Sequence, residues 1–168
     1  MAGAWRAADI GHAGGKGWLV LQRIQRLIKN PQPERPEMAW GLRLSYSAAF
    51  LLQPLFALLF GGVLLLIAAP QAAASALMSQ VLIALAILQL PVALAMAYGL
   101  GRSGGKGALI AASIVLGVLL ATPAWLALFA WLIGSAPLYL VILLGLLAIY
   151  YALGLALSGR TTFTPGNE

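Results

Sequence analysis

From Leu44 to Gly101, and again from Gly107 to Gly159, the chain carries no Asp, Glu, Lys or Arg. A charged side chain at the centre of a membrane helix costs about 2.5–3.5 kcal/mol on insertion scales, so uncharged tracts of this length mark protein that lies in hydrocarbon. That one feature sets the class: an all-α, polytopic integral membrane protein. Composition agrees, with 62% hydrophobic and only 8% charged residues, where a soluble domain carries about 25% charge. The 168 residues are enough for one membrane domain and a short polar arm, and they contain no tandem repeat.

A helix rises about 1.5 Å per residue through a hydrocarbon layer about 30 Å thick, so roughly 20 residues make one crossing and each tract holds two. Pro70, Gln71 and Ser75 interrupt the first tract; Gly134, Ser135 and Pro137 interrupt the second. The predicted transmembrane helices are therefore 46–69, 77–100, 108–132 and 138–157, between a cytoplasmic arm, 1–45, and a short tail, 159–168. Pro137 suits a first helical turn, where its missing N–H has no partner to lose.

Orientation follows from the ten Lys and Arg residues. Arg6, Lys16, Arg23, Arg26, Lys29, Arg35 and Arg43 precede the first span, Arg102 and Lys106 lie in the middle loop, and Arg160 lies in the tail. The turns around Pro70 and Gly134 have none. With four spans every cation faces one side, which the positive-inside rule makes the cytoplasm, with both termini there; the expected location is a bacterial inner membrane. Tyr46 and Tyr98 fall at the predicted inner ends and Trp131 and Tyr139 at the outer ends, as aromatic residues at headgroup depth do. Trp125, Tyr150 and Tyr151 lie deeper, where packing between helices is expected. No apolar h-region precedes Gly17, so the first span is expected to act as the targeting signal.

Before the first span, WLVLQRIQRLIKN (18–30) places Val20, Leu21, Ile24, Leu27 and Ile28 on one helical face and Gln22, Arg23, Gln25, Arg26 and Lys29 on the other. An amphipathic helix lying in the headgroup plane is expected, and docking of its apolar face on protein is the other reading. Pro31, Pro33 and Pro36 then predict an extended connector leading to Trp40. Lys16, Arg23, Arg26, Lys29, Arg102 and Lys106 are candidate contacts for anionic lipid headgroups or a partner subunit. The net charge of +6 sits beside apolar spans, which favours lipid and not nucleic acid as its partner.

Little catalytic chemistry is available. The single histidine, His12, lies in a glycine-rich stretch without the three or four ligands a metal site needs. With no cysteine, thiolate ligands and nucleophiles are excluded. No Ser-His-Asp set, HExxH or paired intramembrane carboxylates occur, so no enzyme activity, cofactor or metal is expected. The loop GLGRSGGKG (99–107) imitates a phosphate-binding loop, but Gly107 stands where a Walker motif needs Ser or Thr and membrane helices flank it, so a flexible turn is expected.

Inside the spans, Gln53, Gln89 and Thr122 are the notable polar residues. Each lies one or two positions before a proline: Pro54, Pro91 and Pro123. A proline frees a carbonyl in the preceding turn, and the Thr122 hydroxyl is expected to satisfy the one freed by Pro123. The amides are expected to hold helices together, or else to line a polar path. Small residues recur at four-residue spacing as Ser113, Gly117 and Ala121 in the third span and Ala148, Ala152 and Ala156 in the fourth; a tight hairpin joined through these two stripes is expected.

The order of features in IQRLIKNPQPERPEMAW (24–40), followed by the tract from Leu44 onward, resembles the bacterial Yip1-like membrane proteins. In both, a short amphipathic helix, a proline-bearing connector and an interfacial aromatic residue precede a compact helical bundle. Members of that family usually have five membrane helices, against four here. The resemblance implies a non-enzymatic protein of membrane organisation and transfers no catalytic residue. The expected role is a scaffold, assembly factor or accessory subunit that contacts other membrane subunits or itself; a small-solute or ion pathway built by an oligomer is the second expectation.

Overall fold

A computed structural model describes residues 22, 25, 35–67, 75–102 and 105–160, apart from the side chains of residues 35, 65, 159 and 160. The chain divides into a short N-terminal unit, Met1–Met38, and a main unit, Ala39–Glu168. Of the expected amphipathic helix only Gln22 and Gln25 are described, both helical; Lys16, Arg23, Arg26 and Lys29 lie outside the described residues. The described residues form five long helices and no strand: α1 (Arg35–Ile67), α2 (Ala76–Gly101), α3 (Lys106–Leu120), α4 (Thr122–Leu132) and α5 (Pro137–Arg160). Four runs are long and apolar enough to cross a bilayer: Pro36–Leu64, Ala76–Gly101, Lys106–Leu132 and Pro137–Ser158. The protein is thus a polytopic membrane protein, and its third span is α3 and α4 together.

Local chemistry explains where the helices begin and end. α1 starts at Arg35, well ahead of the expected Tyr46, so the extended connector does not continue to Trp40. The reason is that Pro36 falls in the first helical turn, where it costs no hydrogen bond, and Glu37 beside it favours the positive end of the helix dipole. The side chain of Ser75 caps α2 by accepting the Met78 N–H at 3.4 Å. At the end of α4, Gly134 takes a left-handed φ of 70°. The Ser135 N–H then reaches the Ala130 carbonyl at 2.9 Å and the Gly134 N–H the Trp131 carbonyl at 3.0 Å, which is a Schellman stop. α5 begins at Pro137 itself.

The third span is interrupted at Ala121, between α3 and α4. Pro123 has no N–H to offer the carbonyl of Leu119, and the Thr122 hydroxyl donates to that carbonyl at 2.8 Å. By contrast α1 and α2 run through Pro54 and Pro91 without a break in helical assignment.

The third span is also the central one. In its most apolar window 44% of residues are buried, against 17%, 11% and 17% in the other three. α2 packs along α3, and α4 packs along α5 across the turn at Ser135. Two apolar layers fill the interior. Tyr46, Phe50, Ala93, Leu116, Leu120 and Tyr150 form one, and Ala86, Ala127, Ala130 and Leu143 the other. Outside them Leu58, Leu66, Leu77, Leu88 and Val141 are among many large aliphatic side chains left exposed, as a lipid solvent requires.

Packing corrects the expected pairing of small-residue stripes. Ser113, Gly117 and Ala121 are buried, but the close approach at Gly117 is to α1: a β-carbon there would lie 2.7 Å from the Tyr46 carbonyl oxygen and 3.1 Å from the Ala49 β-carbon. Ala148, Ala152 and Ala156 are exposed, so this stripe faces away from the bundle. The inward face of α5 carries Leu143, Tyr150 and Gly154. Tyr46 is likewise no interfacial anchor, being 0% exposed inside the bundle.

Candidate functional site

The polar groups within the spans are drawn into a few contacts between helices. The Tyr46 hydroxyl donates to the Tyr150 carbonyl at 2.9 Å, which ties α1 to α5. Its ring lies near-parallel to that of Tyr151, with centroids 6.1 Å apart. One residue away, the Tyr150 hydroxyl donates to the Ala86 carbonyl at 3.0 Å and so ties α5 to α2. At the other end of the bundle the buried hydroxyls of Ser79 and Ser135 are 2.8 Å apart, linking the start of α2 to the turn before α5.

Gln53 has a specific partner. Its Oε1 accepts the indole N–H of Trp125 at 2.8 Å, joining α1 to α4. Gln89 is half-buried on α2 and is not brought to Gln53; among the described residues its side chain shows no hydrogen bond. Thr122 and Ser113 both turn back onto their own span, to the carbonyls of Leu119 and Ile110. Gln53, Ser113 and Thr122 thus form separate small contacts.

A hollow of about 350 Å³ opens at the end of the main unit that carries Arg43, Arg102 and Lys106. All four spans contribute to it: Leu42 from α1, Leu94 and Tyr98 from α2, Leu109 and Leu116 from α3, and Leu157 from α5. Ser113 and Ser158 also reach the wall, but their hydroxyls donate within their own helices, to Ile110 and Leu155. The Arg102 guanidinium lies 5.7 Å above the ring of Tyr98, a cation–π contact at the rim. Lys106 opens α3 one turn before Leu109 and is half-buried.

No protein-family model matches this chain, and neither does any curated protein or solved structure. Among the described residues there is no group of His, Asp or Glu that could hold a metal ion. The hollow, its basic rim and the tyrosine contacts beneath it are the candidate site. Sequence reasoning named Arg102 and Lys106 but missed the aliphatic lining, because nothing in an unbroken apolar tract distinguishes a leucine facing a cavity from one facing lipid.

Proposed function

We propose that this chain is a non-catalytic membrane protein, acting through its helix faces as a scaffold, assembly factor or accessory subunit of a membrane complex. One observation carries this reading: inside the bundle Tyr46, Gln53, Ser79, Trp125, Ser135 and Tyr150 spend their hydrogen-bonding groups on one another or on backbone, while the outer faces are aliphatic. These contacts hold helix to helix, which supports a packing role for the residues that make them. The outer faces supply contact area for other membrane helices. Arg43, Arg102 and Lys106 at one end, with no cation in either opposite turn, support a cytoplasmic placing of that end in a bacterial inner membrane.

Purification in mild detergent, followed by identification of co-purifying proteins, tests the role. A partner subunit or a defined self-assembly in constant proportion is expected. Ion or solute flux in proteoliposomes that disappears in a folded Gln89→Leu variant would instead make the protein a pathway and overturn the reading.

A further inference from the structure

The hollow at the basic end differs from the grooves any helix bundle leaves, because its walls are hydrocarbon and its rim is cationic. We propose that it binds a phospholipid with an anionic headgroup, one acyl chain lying in the hollow and the phosphate at Arg102 and Lys106. This goes beyond the scaffold reading and does not depend on it.

Volume and lining select the guest. About 350 Å³ falls within the size range of small-molecule sites, roughly 300–1,000 Å³. With the Ser113 and Ser158 hydroxyls donating within their own helices, the walls offer water little reason to enter, and an apolar cavity stays dry or takes an apolar guest. Depth selects an acyl chain in particular. Leu109 and Leu116 lie about 4.5 and 15 Å along the helix axis from Lys106, so the hollow runs from headgroup level to near the middle of a hydrocarbon layer about 30 Å thick. One leaflet's chain occupies that depth.

Charge selects the headgroup. Arg102 follows α2 and Lys106 opens α3, at the end of the main unit that also carries Arg43. Arg102 stacks over Tyr98, itself a wall residue, and Lys106 begins the helix whose next turn carries Leu109. The first turn of α3 contains no acid, so its positive dipole end adds to the same field. An anion above the hollow would meet two cations while its chain is buried below.

The full chain, delipidated in detergent and examined by native mass spectrometry, should retain phosphatidylglycerol more strongly than phosphatidylcholine with the same acyl chains. Arg102→Gln and Lys106→Gln should each weaken phosphatidylglycerol about five-fold and leave phosphatidylcholine unchanged. Ala112→Leu, which fills the hollow from its wall, should abolish the retained lipid. Equal binding of the two lipids by the unmodified chain, or undiminished binding by a folded Ala112→Leu variant, would overturn the proposal. A test on the unmodified chain covers the case in which that variant does not fold. Phosphatidylglycerol with a photoreactive acyl chain should label the segments of Leu94, Leu109 and Leu116; label spread evenly over the exposed Leu58, Leu66 and Leu88, or a second copy cross-linked at Leu109 in place of lipid, would contradict it.

Discussion

The ring of Tyr46 fills the space that a β-carbon on Gly154 would need. The ring is fully buried and its hydroxyl is held by the Tyr150 carbonyl at 2.9 Å, so it has no room to swing aside. Overpacking of this kind costs about 1–3 kcal/mol. Gly154→Ala should therefore lower the thermal unfolding temperature in detergent. Gly145, on the same helix with nothing within 4 Å of its would-be β-carbon, is the control. Gly145→Ala should be neutral, or stabilising by up to about 1 kcal/mol through helix propensity. Equal shifts in the two variants would show that the Tyr46–Gly154 contact does not limit stability.

The two small-residue stripes should respond oppositely to enlargement. Gly117→Ala drives a methyl group against the α1 backbone, where the Tyr46 carbonyl oxygen would be 2.7 Å away, and a loss of about 1–3 kcal/mol is expected. Ala152→Leu adds bulk on an exposed face and should change stability by less than about 0.5 kcal/mol. Reversible unfolding in mixed micelles measures both; a large loss at Ala152 would place that face in contact with protein.

Gln53 and Trp125 should be energetically coupled. Gln53→Leu leaves the indole N–H without its acceptor, and Trp125→Phe removes the donor. A double-mutant cycle should give a coupling of about 0.6 kcal/mol, the average for hydrogen bonds between membrane helices, with about 1.7 kcal/mol as the upper end. Additive effects would show that this contact contributes nothing to holding α1 against α4.

Thr122 and Pro123 form a compensating pair. Thr122→Val removes the hydroxyl from the Leu119 carbonyl, to which Pro123 brings no N–H, so a cost of about 1–2 kcal/mol is expected. In a Pro123→Ala background the restored N–H can reach that carbonyl, and the same Thr122→Val change should cost much less. An unchanged cost in the two backgrounds would rule out this compensation.

Some of these relationships were legible before any fold was known. The helix break before Pro123, the role of the Thr122 hydroxyl, the stop at Gly134 and the start of α5 at Pro137 depend on residues within one turn of each other. Backbone geometry alone decides them. The start of α1 at Arg35 departs from the extended connector that three prolines predict, because a proline in the first turn of a helix does not oppose it. Arg102 and Lys106 were recognised at a loop, but not as the rim of a hollow, since the wall residues come from four separate spans.

The number of helices long and apolar enough to cross a membrane was determined by the sequence by itself. Hydrocarbon penalises each charge where it stands, so the positions of ten basic residues and three breaks carry that information without reference to contacts. Only the tertiary structure decided which faces turn inward: that Gly117 and Gly154 clasp Tyr46 while Ala148, Ala152 and Ala156 look out, and that Gln53 finds Trp125. In water a polar stripe tells a helix which side to expose. A span that is apolar all round has no such stripe, because lipid and protein interior are equally oily, and close packing and scarce hydrogen bonds between distant residues are left to choose.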